Sequence, residues 1–180
     1  LGELCVKDET YPSFLDWDEL RTVMETDMPA GRLERVKDVF VFCALTGLSY
    51  QGISTLCPSH LFRDDEGTLW ICRTRAEGAE VGDSCTSRVP LLKPAMVLLE
   101  KYRGWNPMNP EGPCFPVPSV QKMNEYLKEV AARCRISKRL TTQMARNTFA
   151  ATVTLASRIP KEHVREMLGY SSDYMLRHYM

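Results

Sequence analysis

Val39-Phe40-Val41-Phe42-Cys43-Ala44-Leu45 is an unbroken apolar run, and it constrains the fold more than any other stretch. Seven apolar residues in succession leave no side for water, so the element they form must be covered all round. Such a run suits a buried helix or a buried strand. The segment starts at Arg32 and carries charges in its first two turns, and that length favours a helix ending at Thr46-Gly47.

Helical punctuation continues on both sides. Asp16, with Glu19 three residues on, forms a capping pair before Leu20, Val23 and Met24, which predicts a helix over 17–26. Pro29-Ala30-Gly31 breaks it, and residues 1–12 read as an extended lead-in. A short helix is expected through Ile53 to Leu56. The period then changes from 3.6 to 2. Leu61–Arg63, Leu69 to Arg75 and Ser84 to Leu92 read as three strands, the last two joined by a Gly-rich turn.

Lys93 to Tyr102 returns to an amphipathic helix. Residues 104–118 hold five prolines and two glycines and should form a surface loop. Ser119 caps a helix to about Cys134. Thr141 or Thr142 caps another that should run to Ala156. Pro160 opens a helix ending at Leu168-Gly169, and Ser171 or Ser172 opens the last, which carries Tyr179. The expected class is mainly α with a small antiparallel β-sheet.

Composition excludes several functional classes. The chain has 180 residues, 44% of them apolar, enough for a substantial core and against disorder. No run of 18 apolar residues occurs, so no membrane span is expected. The seven cysteines are odd in number and none is spaced CxxC, which points to reduced thiols in a cytoplasmic protein. The net charge is zero, yet residues 121–180 hold 11 Lys and Arg against 5 Asp and Glu, a balance of +6. A basic face on a neutral molecule suits a polyanion partner without indiscriminate binding.

Within that basic stretch, Arg146 stands on one expected helix, Leu168-Gly169-Tyr170 makes a corner, and Tyr179 follows nine positions later. An arginine can grip a phosphate through paired hydrogen bonds, and a tyrosine can supply a nucleophilic oxygen. Gln143 lies one turn before Arg146 on the same face and can add a donor. These residue types, so ordered, are suited to attack on a phosphodiester.

From Phe14 to Tyr179 the chain resembles the catalytic domain of tyrosine recombinases, the phage-integrase family. The resemblance rests on Thr46-Gly47-Leu48-Ser49-Tyr50, Arg88-Val89-Pro90-Leu91-Leu92, Leu140-Thr141, Ala145-Arg146-Asn147-Thr148-Phe149-Ala150, Leu168-Gly169 and Tyr179, in that order. It is nearest to integrases of conjugative and mobilizable elements. The resemblance implies a three-stranded antiparallel sheet beside helices over residues 13–180, and an N-terminal DNA-binding domain upstream of the lead-in. It implies double-stranded DNA as substrate and tetramers with other protomers on that DNA. The implied chemistry uses no metal or nucleotide. Tyrosine attacks a DNA phosphate, the 5′ hydroxyl leaves, and the 3′-phosphotyrosyl link is rejoined by another strand.

The family's site has two arginines, a hairpin lysine, two histidines (the second often Trp) and the tyrosine. Arg146 and Tyr179 match. Ser49 stands at the first arginine, Gln143 at the first histidine and Tyr170 at the second. The hairpin lysine falls at Glu77, with Arg75 two residues before it. The expected catalytic set is therefore Tyr179, Arg146, Gln143 and Tyr170. Arg75, Lys37, Ser49 and Arg139 are the expected DNA contacts, with Lys37 or Arg35 replacing the missing arginine's charge and His178 supplementing Tyr179. An alternative expectation keeps the fold and DNA binding without the chemistry, as a degenerate recombinase-like regulator.

Overall fold

The computed structural model describes residues 12–74, 86–170 and 173–179. The elements in order are α1 (Trp17–Glu25), α2 (Arg32–Thr46), α3 (Tyr50–Ser54), a 3-10 turn (Pro58–His60), β1 (Leu61–Arg63), β2 (Leu69–Thr74) and β3 (Thr86–Pro90). After them come α4 (Lys93–Lys101), α5 (Val120–Arg133), α6 (Thr142–Thr148), a π-helical segment (Phe149–Leu155), α7 (Lys161–Leu168) and a terminal 3-10 segment (Asp173–Tyr179). The expected lead-in, apart from Pro12, lies outside the described residues. So do Arg75, Glu77 and the turn between β2 and β3.

The apolar run is a helix, and it is the centre of the molecule. From Val39 to Thr46 every residue of α2 is buried, and α1, α4, α5, α6 and the π segment all pack on it. Phe42 meets Phe115 at 4.5 Å between ring centroids, and Phe115 meets Tyr102 at 5.4 Å. These aromatic contacts pin the proline-rich loop against the core. Among the described residues no helix is long and apolar enough to cross a membrane.

The one charge buried on α2 has well-placed partners. Asp38 is 4% exposed and accepts from the Tyr102 hydroxyl at 2.6 Å and from Lys101 Nζ at 2.7 Å. Lys101 also reaches Glu34 at 2.8 Å. Burial and the neighbouring carboxylate hold the Tyr102 phenol far above its ordinary pKa, so it stays a donor. This cluster fastens α4 to α2.

The sheet is antiparallel in the order β1-β2-β3. Ile71 pairs with Val89 and both are buried, whereas Phe62 stacks on Trp70 on the opposite face at 6.3 Å. Arg73 pairs with Ser87 on the Ile71 face, and the Ser87 hydroxyl donates to the carbonyl of Met167 on α7. The sheet thereby abuts the end of α7.

Two expected helices differ in winding. The segment over 142–156 leaves the α form at Phe149 and closes one residue wider, Ala156 N–H donating to Ala151 O at 2.9 Å. Hydroxyls intrude on its backbone: Thr148 donates to Met144 O, Thr154 to Ala150 O, and Thr152 to the carbonyl of Leu15. Leu15 N–H in turn donates to Thr148 Oγ1 at 3.0 Å. The last element is 3-10 rather than α, a winding common in short terminal pieces.

Candidate active site

Two glycine corners, with an arginine between them, form the base of the candidate phosphate site. Gly47 ends α2 at φ 74°, and its N–H donates to Cys43 O at 2.8 Å. A Cβ there would lie 2.6 Å from Phe149 Cδ1 and 2.9 Å from Leu168 Cδ2. Only glycine supplies both the left-handed turn and the close approach. Gly169 ends α7 at φ 67°. There Tyr170 N–H donates to Arg165 O and Gly169 N–H to Glu166 O, the double closure of a Schellman turn.

Arg146 bridges the two corners. Its Nη1 donates to the carbonyl of Gly47, and its Nη2 donates to the carbonyl of Leu168 at 2.7 Å. Both acceptors sit at carboxyl ends of helices, where the dipole favours a cation. The Schellman turn then lays the Tyr170 ring beneath the guanidinium, 5.0 Å from Arg146 Cζ to the ring centroid. Two of the five guanidinium N–H groups are taken by these carbonyls, and three remain to grip an anion.

Tyr179 enters the same neighbourhood from the terminal segment. Its hydroxyl donates to Asn147 Oδ1 at 2.7 Å, on the residue that follows Arg146. Gln143 Nε2 donates to the same oxygen at 3.0 Å, and Asn147 Nδ2 donates to the carbonyl of Ser13 at 3.0 Å. Burial pushes the Tyr179 phenol up to about 12; the nearby Tyr170 phenol adds to the rise and the Arg146 charge opposes it. The phenol is therefore protonated near neutrality. It donates to an amide oxygen, which accepts a hydrogen bond but is no base.

The arrangement brings Arg146, Gln143, Tyr170 and Tyr179 together: Asn147 links Gln143 to Tyr179, and Arg146 lies over the Tyr170 ring. It distributes the other expected residues more widely. Ser49 is exposed two residues beyond Gly47, where its hydroxyl caps α3 by accepting from Gly52 N–H at 3.1 Å. Arg139 is exposed just before Thr141, the N-cap of α6. Lys37 is not brought to this corner. Ten residues before Gly47 on α2, it lies about 15 Å away along the axis, and its ammonium donates to the carbonyls of Met24 and Thr26 at 3.1 and 2.7 Å. The reason is local: the carbonyl end of α1 faces that turn of α2 and holds the ammonium.

Two residues emerge that sequence reasoning did not single out. Asn147 is one, and its spacing of four from Gln143 on a helix was the available signal. Arg73 is the other. Its guanidinium, half-buried, donates to the carbonyl of Gly52 and to Thr55 Oγ1 at 2.6 Å, closing the end of α3. The strand alternation shared with Ile71 would have placed it on the inner face.

No family model matches this sequence, and no curated protein matches it. Solved structures do. The XerH site-specific recombinase bound to its difH substrate in a pre-cleavage complex superposes with a TM-score of 0.72 at 17% identity, covering 98% of this chain and 52% of that one. The Tn1549 transposon integrase in complex with transposon right end DNA gives 0.72 at 14% identity, covering 97% and 64%. The catalytic domain of the bacteriophage HP1 integrase gives 0.62 at 18% identity, covering 93% and 86%. The chain thus has the tyrosine recombinase catalytic-domain fold, and it spans between about half and two thirds of the first two structures.

Proposed function

We propose that this chain carries out site-specific DNA strand cleavage and rejoining through a 3′-phosphotyrosyl intermediate at Tyr179, in the integration or excision of a mobile element. The observation that carries the reading is the meeting of Tyr179 with the Arg146 corner through Asn147. The fold, shared with DNA-bound recombinases, supports it.

In this mechanism the three remaining N–H groups of Arg146 hold the non-bridging oxygens of the scissile phosphate. They stabilise the extra negative charge as phosphorus becomes five-coordinate. Gln143 and the hydroxyl of Tyr170 donate further hydrogen bonds. The Tyr179 oxygen forms the new bond to phosphorus, its proton passes to solvent or a phosphate oxygen, and the bond to the 5′ oxygen breaks. The departing oxygen takes up a proton to become the 5′ hydroxyl. Rejoining reverses these steps with the 5′ hydroxyl of another strand.

The duplex lies along the basic C-terminal third. Arg139, at the exposed entrance to α6, contacts the backbone. Ser49, at the amino end of α3, presents its turn to the phosphate, and Arg75 is a further DNA contact in this reading. On a pair of duplexes the chain works with other recombinase protomers as a tetramer.

A second reading, a DNA-binding regulator without strand-transfer activity, is favoured by one observation. Tyr179 donates to an amide, and Gln143 stands where an imidazole would exchange a proton. A trapping assay separates the two. The full-length protein is incubated with cognate duplex nicked so that cleavage releases a short fragment. The active reading requires a DNA-linked band that is lost in Tyr179→Phe; salt-sensitive binding without any such band establishes the regulator instead.

A further inference from the structure

Asn147 occupies a position that the phosphate chemistry does not require, yet its amide is the most connected side chain of the site. It is 7% exposed. The Ser13 carbonyl can only accept, so the nitrogen of the amide must face Ser13 and the oxygen must face the other way. That oxygen meets both Tyr179 and Gln143. The phenol therefore has to donate to it, because an acceptor cannot satisfy another acceptor.

The consequence falls on the nucleophile. With its O–H directed at Asn147, the lone pairs of the Tyr179 oxygen point away from the amide, where an incoming phosphorus can be met. The orientation is set from the start of the described chain. Ser13 is held in register by the neighbouring Leu15, which exchanges hydrogen bonds with Thr148 and Thr152. One buried amide thus connects the entry segment to the attacking atom.

We infer that Asn147 is a positioning residue for Tyr179: it fixes the direction of the phenol O–H, and its own orientation is imposed by the backbone at Ser13. This rests on Tyr179 being the nucleophile, but it can be tested separately from the strand-transfer chemistry. Position 179 of the full-length protein is replaced by a fluorotyrosine, whose phenol ionises at milder pH than that of tyrosine, and its 19F signal is titrated without DNA.

In Asn147→Ala the neutral phenol loses its acceptor, so its ionisation constant should rise about three- to tenfold. In Asn147→Asp, close in shape to the native side chain, a carboxylate replaces the amide oxygen and the constant should fall about tenfold or more. Opposite shifts support the positioning role, and the Asp variant alone carries the test should the Ala variant fail to fold. A signal that stays put in both variants, or moves the same way in both, overturns it.

Adduct formation on nicked DNA supplies the second readout, with Asn147→Ala slowed roughly ten- to hundredfold by the misplaced nucleophile. A protein that never links to DNA but shows the opposite shifts has the positioning device without the chemistry. A protein that links to DNA at an undiminished rate in Asn147→Ala, with the titration unmoved, has the chemistry without the device.

Discussion

Replacing Gly47 by alanine strikes the fold and the site at one atom. The residue sits at φ 74°, where an L side chain costs about 1–2 kcal/mol, offset by roughly 0.4–1 kcal/mol because alanine restricts the unfolded chain. The new methyl group would also lie 2.6 Å from Phe149 and 2.9 Å from Leu168, both buried. Forcing a methyl into a filled core commonly costs about 1–3 kcal/mol. The sum is a loss of about 3 kcal/mol at mid-range, with limits of about 1 and 4.5 kcal/mol.

Gly104 provides the control. It has φ 70°, and a methyl group added there would meet nothing within 4 Å, so Gly104→Ala bears the backbone strain alone, about 1 kcal/mol. Urea unfolding of both variants isolates the packing contribution as their difference. In a chain of this size the Gly47 variant should melt roughly 5–15 °C below the parent. Equal losses in the two variants, or a loss under about 0.5 kcal/mol at Gly47, would refute the idea that this corner is closed against the π segment and α7. Because the Gly47 carbonyl holds Arg146, the same variant should weaken DNA cleavage even where it remains folded.

Other consequences are as direct. Tyr102→Phe leaves the buried Asp38 carboxylate short of one donor and should cost about 1.5–3 kcal/mol in urea unfolding. Arg146→Lys keeps the charge but cannot span both carbonyls and still fork to a phosphate, so adduct formation should fall about 10²–10³-fold. The raised pKa of Tyr179 means that the folded chain holds this proton more tightly than the unfolded chain. The stability it contributes is complete below about pH 10 and is lost as pH climbs toward 12. Tyr179→Phe should flatten that alkaline decline in urea titrations at successive pH values. Affinity for cognate duplex should fall steeply with salt, and Arg139→Ala should reduce the log–log slope by about 1.

The legible parts of this molecule are those governed by neighbours in sequence. Asp16 with Glu19 forms the expected capping box, Ser119 and Thr141 cap their helices, and Gly47 and Gly169 end theirs. The period change at Leu61 marks the sheet. What local pattern could not convey is set by distant partners. Phe149–Leu155 is buried from Phe149 to Thr154, a pattern that does not separate α from π winding, and the choice involves hydroxyls of Thr148 and Thr152 contacting Leu15, over 130 positions away. Lys37 reads as an available cation until the carbonyl end of α1 is brought against it. Asn147 gains its importance from Ser13 and Tyr179, which no periodicity connects to it.

The most direct measurement is the identity of the residue that becomes joined to DNA. Full-length protein trapped on nicked cognate duplex is digested, and the nucleotide-bearing peptide is sequenced by mass spectrometry. The modification is expected on the phenol oxygen of Tyr179, attached to a 3′ phosphate, and absent from Arg146→Ala. A modification on another residue, or firmly bound duplex that is never covalently linked, would contradict the proposed chemistry.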